Sequence, residues 1–186
     1  MNTTSNHENH LHQTDPRWFA VYTRYKREKV VYDELTRNGI EVFLPLQKIL
    51  RQYGRKKRSV ELPLFNCYVF VKITKANYVP VLSVEGVTKF IRFSQNLISI
   101  PQEEIQMIKR IIGSETLIEA EEGFYQSGDE VEIIAGNLSG MKGELIEVQG
   151  KNNVLIELSH LGYTLKIELP SSYLRRTKFA KAKSLI

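Results

Sequence analysis

Pro63-Leu64-Phe65-Asn66-Cys67-Tyr68-Val69-Phe70-Val71-Lys72 is the most strand-like run of the chain, and it carries three aromatic side chains. Its aromatic and β-branched residues predict a buried strand over residues 64–73. The basic run Gly54-Arg55-Lys56-Lys57-Arg58 precedes it and predicts the tip of a hairpin with arms over residues 47–53 and 59–64. Consecutive cations favour water or phosphate over a protein core. We therefore expect an aromatic surface that grasps a partner helix, beside a basic tip that reaches for nucleic acid.

The length and composition are those of an ordinary globular chain. The 186 residues suffice for one domain or two small ones, and 42% of them are hydrophobic while 25% are charged. No apolar run approaches the roughly 20 residues of a membrane helix, and residues 1–15 lack the apolar segment of a signal peptide. The single cysteine, Cys67, excludes an intramolecular disulfide, so we expect a small core residue in a reducing cytoplasm.

Positive charge is concentrated in the first half of the chain. Residues 16–113 contain 18 Lys and Arg but 8 Asp and Glu, whereas residues 114–186 contain 8 and 11. Because phosphate neutralisation needs concentrated positive charge, the first half is expected to make any nucleic-acid contact. A merely solvated basic surface would have the same composition, so charge alone leaves both interpretations open.

The aromatic and β-branched run from Trp18 to Thr23 predicts the first strand. Both of its faces are largely apolar, as expected of a central strand that is covered on both sides. Thr23 can then cap a helix that runs to about Asn38. The start of this helix, where the macrodipole disfavours positive charge, carries the cations Arg24, Lys26, Arg27 and Lys29. Their position indicates an anionic partner, with a solvated helix face as the alternative.

The rest of the first half alternates between strands and helices. Strands are predicted over residues 40–46, 87–93 and 97–100, and helices over residues 74–84 and 101–113. Alternating helices and antiparallel strands indicate an α+β fold, here a ferredoxin-like α/β sandwich domain over residues 16–113. Residues 1–15 are predicted to be a disordered tail. The spacing of its histidines, His7, His10 and His12, would suit a metal site, but no cluster of acidic or thiol ligands supports one.

The pattern changes after Gly113. Residues 114–126 are acidic and are predicted to be a flexible linker. Short apolar or alternating runs, separated by glycine-containing turns, predict a small all-β barrel over residues 127–177. Its first turn region contains the glycines Gly136, Gly140 and Gly143. Residues 178–186 are predicted to be a frayed basic tail.

The chain has none of the motifs that mark common catalytic sites. It contains no Walker loop, no Gly-x-Gly-x-x-Gly, no His-Glu-x-x-His and no nucleophile elbow. The one histidine outside the N-terminal tail, His160, falls in a predicted polar turn. The sequence therefore favours a binding protein over an enzyme, with no catalytic residue, metal or cofactor.

Motifs in both halves resemble a known family. Those of the first half are Trp18-Phe19-x-Val21-x-Thr23, Pro63-Leu64-Phe65-x-x-Tyr68-Val69-Phe70-Val71 and Gly86-Val87-x-x-Phe90-Ile91. They resemble the N-terminal domain of the NusG family of transcription elongation factors. The second half resembles that family's KOW domain through the pattern Ser127-Gly128-Asp129-x-Val131-x-Ile133-x-x-Gly136-x-x-x-Gly140-x-x-Gly143. Each motif is weak by itself, but their order around an acidic segment makes the resemblance strong.

Within the family, the chain is more similar to specialised paralogues of the RfaH and UpxY kind than to the general factor. General NusG proteins usually have Phe-Pro-Gly-Tyr in the central strand, where this chain has Phe65-Asn66-Cys67-Tyr68. The basic hairpin and Phe90-Ile91-Arg92-Phe93 also resemble RfaH. The resemblance implies an operon-specific transcription antitermination factor, with a general NusG-type elongation factor as the alternative.

The resemblance implies RNA polymerase as partner, bound at its clamp helices. A protein that prefers the closed clamp would shift the clamp equilibrium and so suppress pausing and termination. The polymerase-binding aromatic surface, or its supports, would comprise Tyr22, Phe65, Tyr68, Phe70 and Phe93. Non-template DNA of the elongation complex would be touched by Arg24, Lys26, Arg27 and Lys29. Nucleic acid would also be bound by the hairpin residues Arg55, Lys56, Lys57 and Arg58.

For the second half, the resemblance implies that a ribosomal protein, a termination factor or RNA binds the KOW domain. Its valines, isoleucines and glycines oppose a helix, so we predict a stable barrel without a fold switch. The protein would be a monomer that acts in the bacterial cytoplasm with elongating polymerase and contacts no membrane. Two rival interpretations are a ribosomal-type KOW RNA-binding protein, opposed by the large first domain, and a nuclease, opposed by the missing acid cluster.

Overall fold

The computed structural model describes residues 7–53, 56–114, 118–122, 128–148 and 151–178. The chain divides into two compact units, residues 1–105 and 106–186. The first is mixed α/β. Its elements in chain order, the last of which ends in the second unit, are β1 (Arg17–Thr23), α1 (Glu28–Arg37), β2 (Glu41–Phe43), β3 (Leu46–Tyr53), β4 (Lys56–Pro63), β5 (Tyr68–Ile73), α2 (Tyr78–Leu82), β6 (Val87–Phe90) and α3 (Gln102–Ile112).

A four-stranded antiparallel sheet with the order β2-β5-β1-β6 forms the centre of the first unit. Strand β1 pairs with β5 from Arg17 opposite Ile73 to Tyr22 opposite Tyr68. One face of the sheet is apolar and packs against α1 and α2. The core there contains Phe19, Val21, Val31, Leu35, Val69, Val71, Val81 and Phe90. Burial of these side chains is the main stabilising term for the unit.

Strands β3 and β4 form a separate two-stranded sheet, paired from Leu46 opposite Pro63 to Tyr53 opposite Lys56. The sequence predicts this hairpin, but with a wider tip over residues 54–58. Lys56, Lys57 and Arg58 instead belong to β4, while residues 54 and 55 lie outside the described part of the chain. The predicted nucleic-acid contact of Arg55 therefore has no structural description.

The prediction of a disordered N-terminal tail is wrong for residues 8–12. The backbone N–H of His10 donates to Leu97 O at 2.9 Å, and the N–H of Leu97 donates to Glu8 O at 2.9 Å. His10 Nδ1 also lies 3.0 Å from Ser99 Oγ. Leu11 packs against the core. The sequence did not indicate the structure of this segment, because a polar composition does not show which backbone groups are hydrogen-bonded, and backbone hydrogen bonds hold most of this segment in place.

Other elements of the first unit also differ from their predicted limits. The strand predicted over residues 40–46 is limited to Glu41–Phe43, and the one predicted over residues 97–100 forms only isolated bridges. The helix predicted over residues 74–84 is a short 3-10 turn, Lys75–Asn77, followed by α2. Pro80 is tolerated because α2 begins only at Tyr78, which puts the proline in the first turn. The strand predicted over residues 87–93 ends at Phe90. A tight turn follows, in which Ser94 and Gln95 have φ values of 47° and 74°.

The second unit is all-β apart from the end of α3 and one 3-10 turn in its described residues. Its strands are β7 (Ile118–Glu122), β8 (Asp129–Ile133), β9 (Lys142–Val148), β10 (Lys151–Leu158), β11 (Tyr163–Glu168) and β12 (Leu174–Lys178). They form one antiparallel sheet in the order β12-β8-β9-β10-β11-β7. Its buried side chains include Val131, Ile133, Val154, Leu158, Leu165 and Ile167.

Three predictions for the second unit are corrected by this sheet. Residues 118–122, predicted as part of a flexible linker, form β7 and pair with β11. Gly143, predicted in a turn, lies within β9 opposite Val131. Lys178, predicted in a frayed tail, ends β12, and its Nζ lies 3.3 Å from Glu130 Oε2. Hydrogen bonds from Thr177 and Lys178 lower the pKa of Glu130.

Candidate functional site

The second face of the first unit's sheet is rich in aromatic side chains. Residues directly opposite each other in an antiparallel pair lie on the same face. Tyr22 faces Tyr68, and Ala20 and Phe43 both face Phe70. We define the aromatic face by its five rings, Trp18, Tyr22, Phe43, Tyr68 and Phe70.

Ring contacts connect the aromatic face to the turn before β5. Tyr22 and Tyr68 meet edge to face with centroids 5.6 Å apart. Phe70 lies 5.9 Å from Phe43 and 5.9 Å from Phe65. The Tyr22–Tyr68 and Phe65–Phe70 pairs are edge to face, whereas the Phe43–Phe70 pair is tilted. Ring contacts of both kinds restrict the orientation of the rings, which lowers the entropic cost of using them in an interface.

The predicted polymerase-binding residues fall into two groups. Phe65 and Phe70 are 1% and 0% exposed, so they are buried and support the neighbouring, partly exposed rings. Tyr22 and Tyr68 are half-buried and present part of their rings at the surface. Phe93 is also half-buried, but it lies at the foot of the turn after β6, where its N–H donates to Asn96 O at 2.9 Å.

A buried carboxylate holds the turn that positions Tyr68. Glu28, in the first turn of α1, is 5% exposed, and its Oε1 accepts a hydrogen bond of 2.8 Å from the backbone N–H of Cys67. The Cys67 carbonyl in turn accepts from Thr23 N–H at 2.8 Å. Cys67 has a φ of 65°, a left-handed conformation that costs a non-glycine residue about 1 kcal/mol. Glu28 therefore ties this strained turn to α1, and Thr23 ties it to β1.

Replacing Glu28 by alanine is expected to destabilise the first unit by about 2 kcal/mol, because the buried Cys67 N–H loses its acceptor. Glu28→Gln keeps an acceptor oxygen and should cost less than about half of that. Urea denaturation followed by the fluorescence of Trp18 measures both variants. Equal losses for alanine and glutamine would show that the acceptor oxygen is not what stabilises the turn.

The predicted DNA-binding cluster spans a turn and the start of α1. Arg24 and Lys26 lie in the turn before the helix. Arg27 is the N-cap of α1 and Lys29 lies in its first turn beside Glu28, so the argument from an unfavourable helix position holds only for these two cations. The turn is anchored by Arg24 N–H on Gly86 O at 2.8 Å and by Arg27 N–H on Arg24 O at 3.1 Å. Lys26 occupies its left-handed position with a φ of 60°.

The four predicted cations differ in how available they are. Arg24 and Lys26 are exposed on the turn, and Lys29 is exposed in the first turn of α1. Arg27 is half-buried, and its Nη2 lies 3.4 Å from Glu85 Oε1. Three cations therefore form an exposed basic surface, with Arg27 partly engaged within the protein.

The register of the β3–β4 hairpin adds a cation that the sequence did not single out. Arg51 lies directly opposite Arg58, and both are exposed. Like charges directly opposite each other in a sheet repel, so an anion between them would relieve the repulsion. The predicted contacts Lys56 and Lys57 are exposed on the same strand as Arg58. Only knowledge of the register could have found Arg51.

Tyr25 is a second residue that sequence reasoning missed. It lies between Arg24 and Lys26 on the basic turn and is 69% exposed. The Lys26 ammonium lies 5.1 Å from the centroid of its ring. An exposed ring flanked by cations is the composition of a stacking platform for an unpaired base. The signal in the sequence was the single aromatic residue inside the basic cluster.

Two of the three glycines predicted for the second unit's turn occupy left-handed positions. Gly136 and Gly140 have φ values of 73° and 85°. Gly140 N–H donates to Ile133 O at 2.7 Å and closes the turn between β8 and β9. Gly143 serves a different purpose, since a Cβ there would lie 2.4 Å from Leu155 O. It allows β9 and β10 to approach closely.

Comparison with known proteins adds to this geometry. The sequence model described as transcription termination factor nusG matches residues 16–109, just over half of the chain. The chain belongs to the NusG family. A second model, the second KOW domain of transcription elongation factor SPT5, matches residues 127–177 of this NusG-family protein. It is therefore a transcription elongation factor of the NusG/Spt5 family with a NusG domain and a KOW domain, and proteins of this family are transcription factors, not enzymes.

Solved structures resemble this NusG-family chain at low identity. Thermotoga maritima NusG, in a structure that describes its domain interaction, is 23% identical over 88% of this chain and 98% of its own, with a TM-score of 0.54. Its fold is the mixed α/β domain followed by an all-β domain. Spt5 in an MjSpt4:Spt5 complex is 21% identical over 88% of this chain and 99% of that chain, with a TM-score of 0.31. No curated protein matches the chain.

Two further kinds of feature are absent from the described residues. No helix in the described part of the NusG-family chain has the length and apolarity to span a bilayer. Within the same residues, no three His, Cys, Asp or Glu side chains are grouped so that they could hold a metal ion.

Proposed function

We propose that the protein is an operon-specific antitermination factor that binds RNA polymerase at its clamp helices. The observation that carries this proposal is the Tyr22–Tyr68 pair beside the exposed basic turn that follows β1. Members of the NusG/Spt5 family bind RNA polymerase. An aromatic pair next to a basic turn suits a site where protein helices and DNA are presented side by side.

The aromatic face is the proposed contact with the clamp helices. Tyrosines contribute large contact areas at low rotamer cost and dominate many interfaces. Tyr22 and Tyr68 would make direct contacts, with Phe65 and Phe70 as their supports. Lys89, whose Nζ lies 5.8 Å from the Tyr22 ring centroid, adds a cation at the border of this surface. Phe93 would contribute at the edge, through the exposed part of its ring.

Suppression of pausing follows from differential binding. Pausing and termination require clamp movement, so a protein that binds the closed clamp more tightly shifts the equilibrium towards elongation. The shift equals the ratio of its affinities for the two states: about 100-fold preference corresponds to roughly 3 kcal/mol. No chemical step is required of the protein.

The specialised assignment is supported by the turn before β5. Cys67 has a left-handed φ of 65°, the conformation that the glycine of a Pro-Gly turn adopts without strain. Asn66-Cys67 keeps that backbone shape with different side chains, next to Tyr68. A general NusG-type elongation factor, with the same contacts on all operons, is the second candidate.

Contact with non-template DNA is assigned to the basic turn and the hairpin. The turn would use Arg24, Lys26 and Lys29, with Arg27 as a weaker contributor because of Glu85. Arg51, Lys56, Lys57 and Arg58 would follow the phosphate backbone along the hairpin. Each phosphate that a cation neutralises releases counterions, so binding should weaken steeply with salt.

Replacing Tyr25 by alanine should weaken binding of a single-stranded oligonucleotide by about tenfold, because one base loses its stacking partner. Tyr25→Phe keeps the ring and should bind like the wild type. Fluorescence anisotropy at several salt concentrations measures both. The salt slope should stay unchanged for Tyr25→Ala but fall by about 1 for Arg24→Ala. An unchanged affinity for Tyr25→Ala would remove Tyr25 from the DNA-binding surface.

Single-round transcription with purified bacterial RNA polymerase tests the proposal as a whole. One template carries the leader of the operon that encodes the protein, upstream of a terminator, and a matched template carries an unrelated leader. Read-through should rise on the first template alone. A rise on both templates would support the general elongation factor instead, and no rise on either would contradict both.

We propose three further features of the protein. The strand order β2-β5-β1-β6 supports a ferredoxin-like description of the first unit. The KOW domain would bind a ribosomal protein, a termination factor or RNA. The protein would act as a monomer with elongating polymerase at the bacterial nucleoid.

A further inference from the structure

Strand β7 comes from a segment that neither family match includes. The matches cover residues 16–109 and 127–177, whereas β7 spans Ile118–Glu122. It nevertheless pairs in register with β11, from Ile118 opposite Ile167 to Tyr163 opposite Glu122. Without β7, β11 would be the last strand of the sheet. Strand β7 therefore covers an edge that the strands within the KOW match would leave exposed.

The contacts of β7 are specific to its sequence. Ile118 is 2% exposed, and Ala120 is half-buried opposite the buried Leu165. On the other face, Glu119 Oε2 forms an ion pair with Lys166 Nζ. The first four residues of the strand therefore alternate apolar side chains on one face with acids towards a lysine on the other, and Glu122 follows on the face of Ile118.

Two further polar contacts complete this arrangement. Glu121 Oε1 lies 3.7 Å from Lys166 Nζ, and Tyr163 Oη donates to Glu122 Oε1 at 2.8 Å. The hydrogen bond with Glu119 raises the pKa of Lys166, which favours the charged form of the lysine. The edge of β11 thus recognises an extended acidic segment by backbone pairing, charge and one tyrosine hydroxyl.

We propose that the outer edge of β11 is a strand-addition site for an extended acidic segment of a partner protein, and that β7 is its built-in, displaceable occupant. Edge strands offer unpaired N–H and C=O groups to any strand that can align with them. A short strand held at a sheet edge, with solvent-exposed ion pairs, belongs to the parts of a protein that open locally at low cost.

The matching partner strand has a defined chemistry. It places an apolar residue opposite Ile167, a small residue opposite Leu165, and acids on the face of Lys166. A bound partner would replace β7 in the sheet. This inference does not depend on polymerase binding, so it can fail or hold separately from the proposed function.

A peptide-exchange experiment on the full chain tests the proposal. The probe is a fluorescently labelled synthetic peptide with the sequence of residues 116–124. Ile118→Asp places a charge at a buried position and should release β7, whereas Ile118→Val keeps it. The aspartate variant should bind the peptide at least about tenfold more tightly than the valine variant, since no internal strand competes. A peptide with lysines at positions 119 and 121 should not bind.

Hydrogen exchange in the wild-type protein keeps the test independent of how well the variants fold. Amides in the β7–β11 pairing should exchange at least about tenfold faster than those between β9 and β10. Equal exchange rates, or equal peptide binding by the aspartate and valine variants, would overturn the proposal and make β7 a permanent strand of the sheet.

Discussion

Gly143→Ala is expected to destabilise the second unit by about 3 kcal/mol, the upper end of the cost of overpacking a core. The added Cβ would lie 2.4 Å from Leu155 O and 2.7 Å from Val154 Cγ1. The first of these atoms belongs to the backbone of the neighbouring strand, so relief requires β9 and β10 to move apart. Hydrogen bonds of the ladder around Leu145 and Val154 would lengthen as a result.

Gly140→Ala is the matched control for this substitution. A Cβ at Gly140 meets nothing within 4 Å, but its φ of 85° strains an alanine by about 1 kcal/mol. Urea denaturation followed by NMR signals of amides in the second unit measures both variants. A smaller loss for Gly143→Ala than for Gly140→Ala would mean that the strands separate easily and that close approach is not required.

The double variant Tyr22→Ala with Tyr68→Ala should weaken polymerase binding by about 30-fold or more, because buried aromatic contacts at interface centres contribute about 2 kcal/mol or more. The prediction depends on the pairing of these rings, whose centroids lie 5.6 Å apart. Loss of one ring also loosens the other. The summed losses of binding free energy in the two single variants should therefore exceed the loss in the double variant.

Two control variants distinguish the loss of a direct contact with polymerase from a general loss of folding. Tyr22→Phe with Tyr68→Phe keeps both rings and should retain most of the affinity. Val30→Ala removes an exposed apolar side chain of α1 away from the aromatic face and should have no effect. Titration of labelled polymerase, with circular dichroism as the check on folding, gives the comparison. Wild-type affinity in the double alanine variant would remove these tyrosines from the interface.

Much of the first unit could be predicted because its local signals agree with its tertiary structure. Strands β1 and β5 fall on the aromatic and β-branched runs, and the hairpin falls around the basic tip. The partners Phe43 and Arg51 could not be found in the same way, because their importance comes from the register with Phe70 and Arg58. Strand register depends on long-range pairing that single-sequence patterns do not report.

The errors concern segments whose structure comes from partners distant in sequence. Residues 118–122 are acidic and resemble a linker, yet pairing with β11 and the charge of Lys166 make them a strand. The N-terminal residues 8–12 are polar but pair near Leu97. The helix start was misplaced because a buried carboxylate, Glu28, and a left-handed Lys26 define the turn before it. Composition shows polarity in all three places and does not show which polar groups are paired.

Binding of the wild-type protein to core RNA polymerase with and without its clamp helices tests the central claim most directly. The measurement is an anisotropy titration of the labelled full chain with intact polymerase and with polymerase from which the clamp-helix tip has been deleted. Saturable binding to the intact enzyme, lost on deletion of the tip, is the predicted result. No binding to intact polymerase, or equal binding to both forms, would contradict the proposal that the aromatic face holds the clamp.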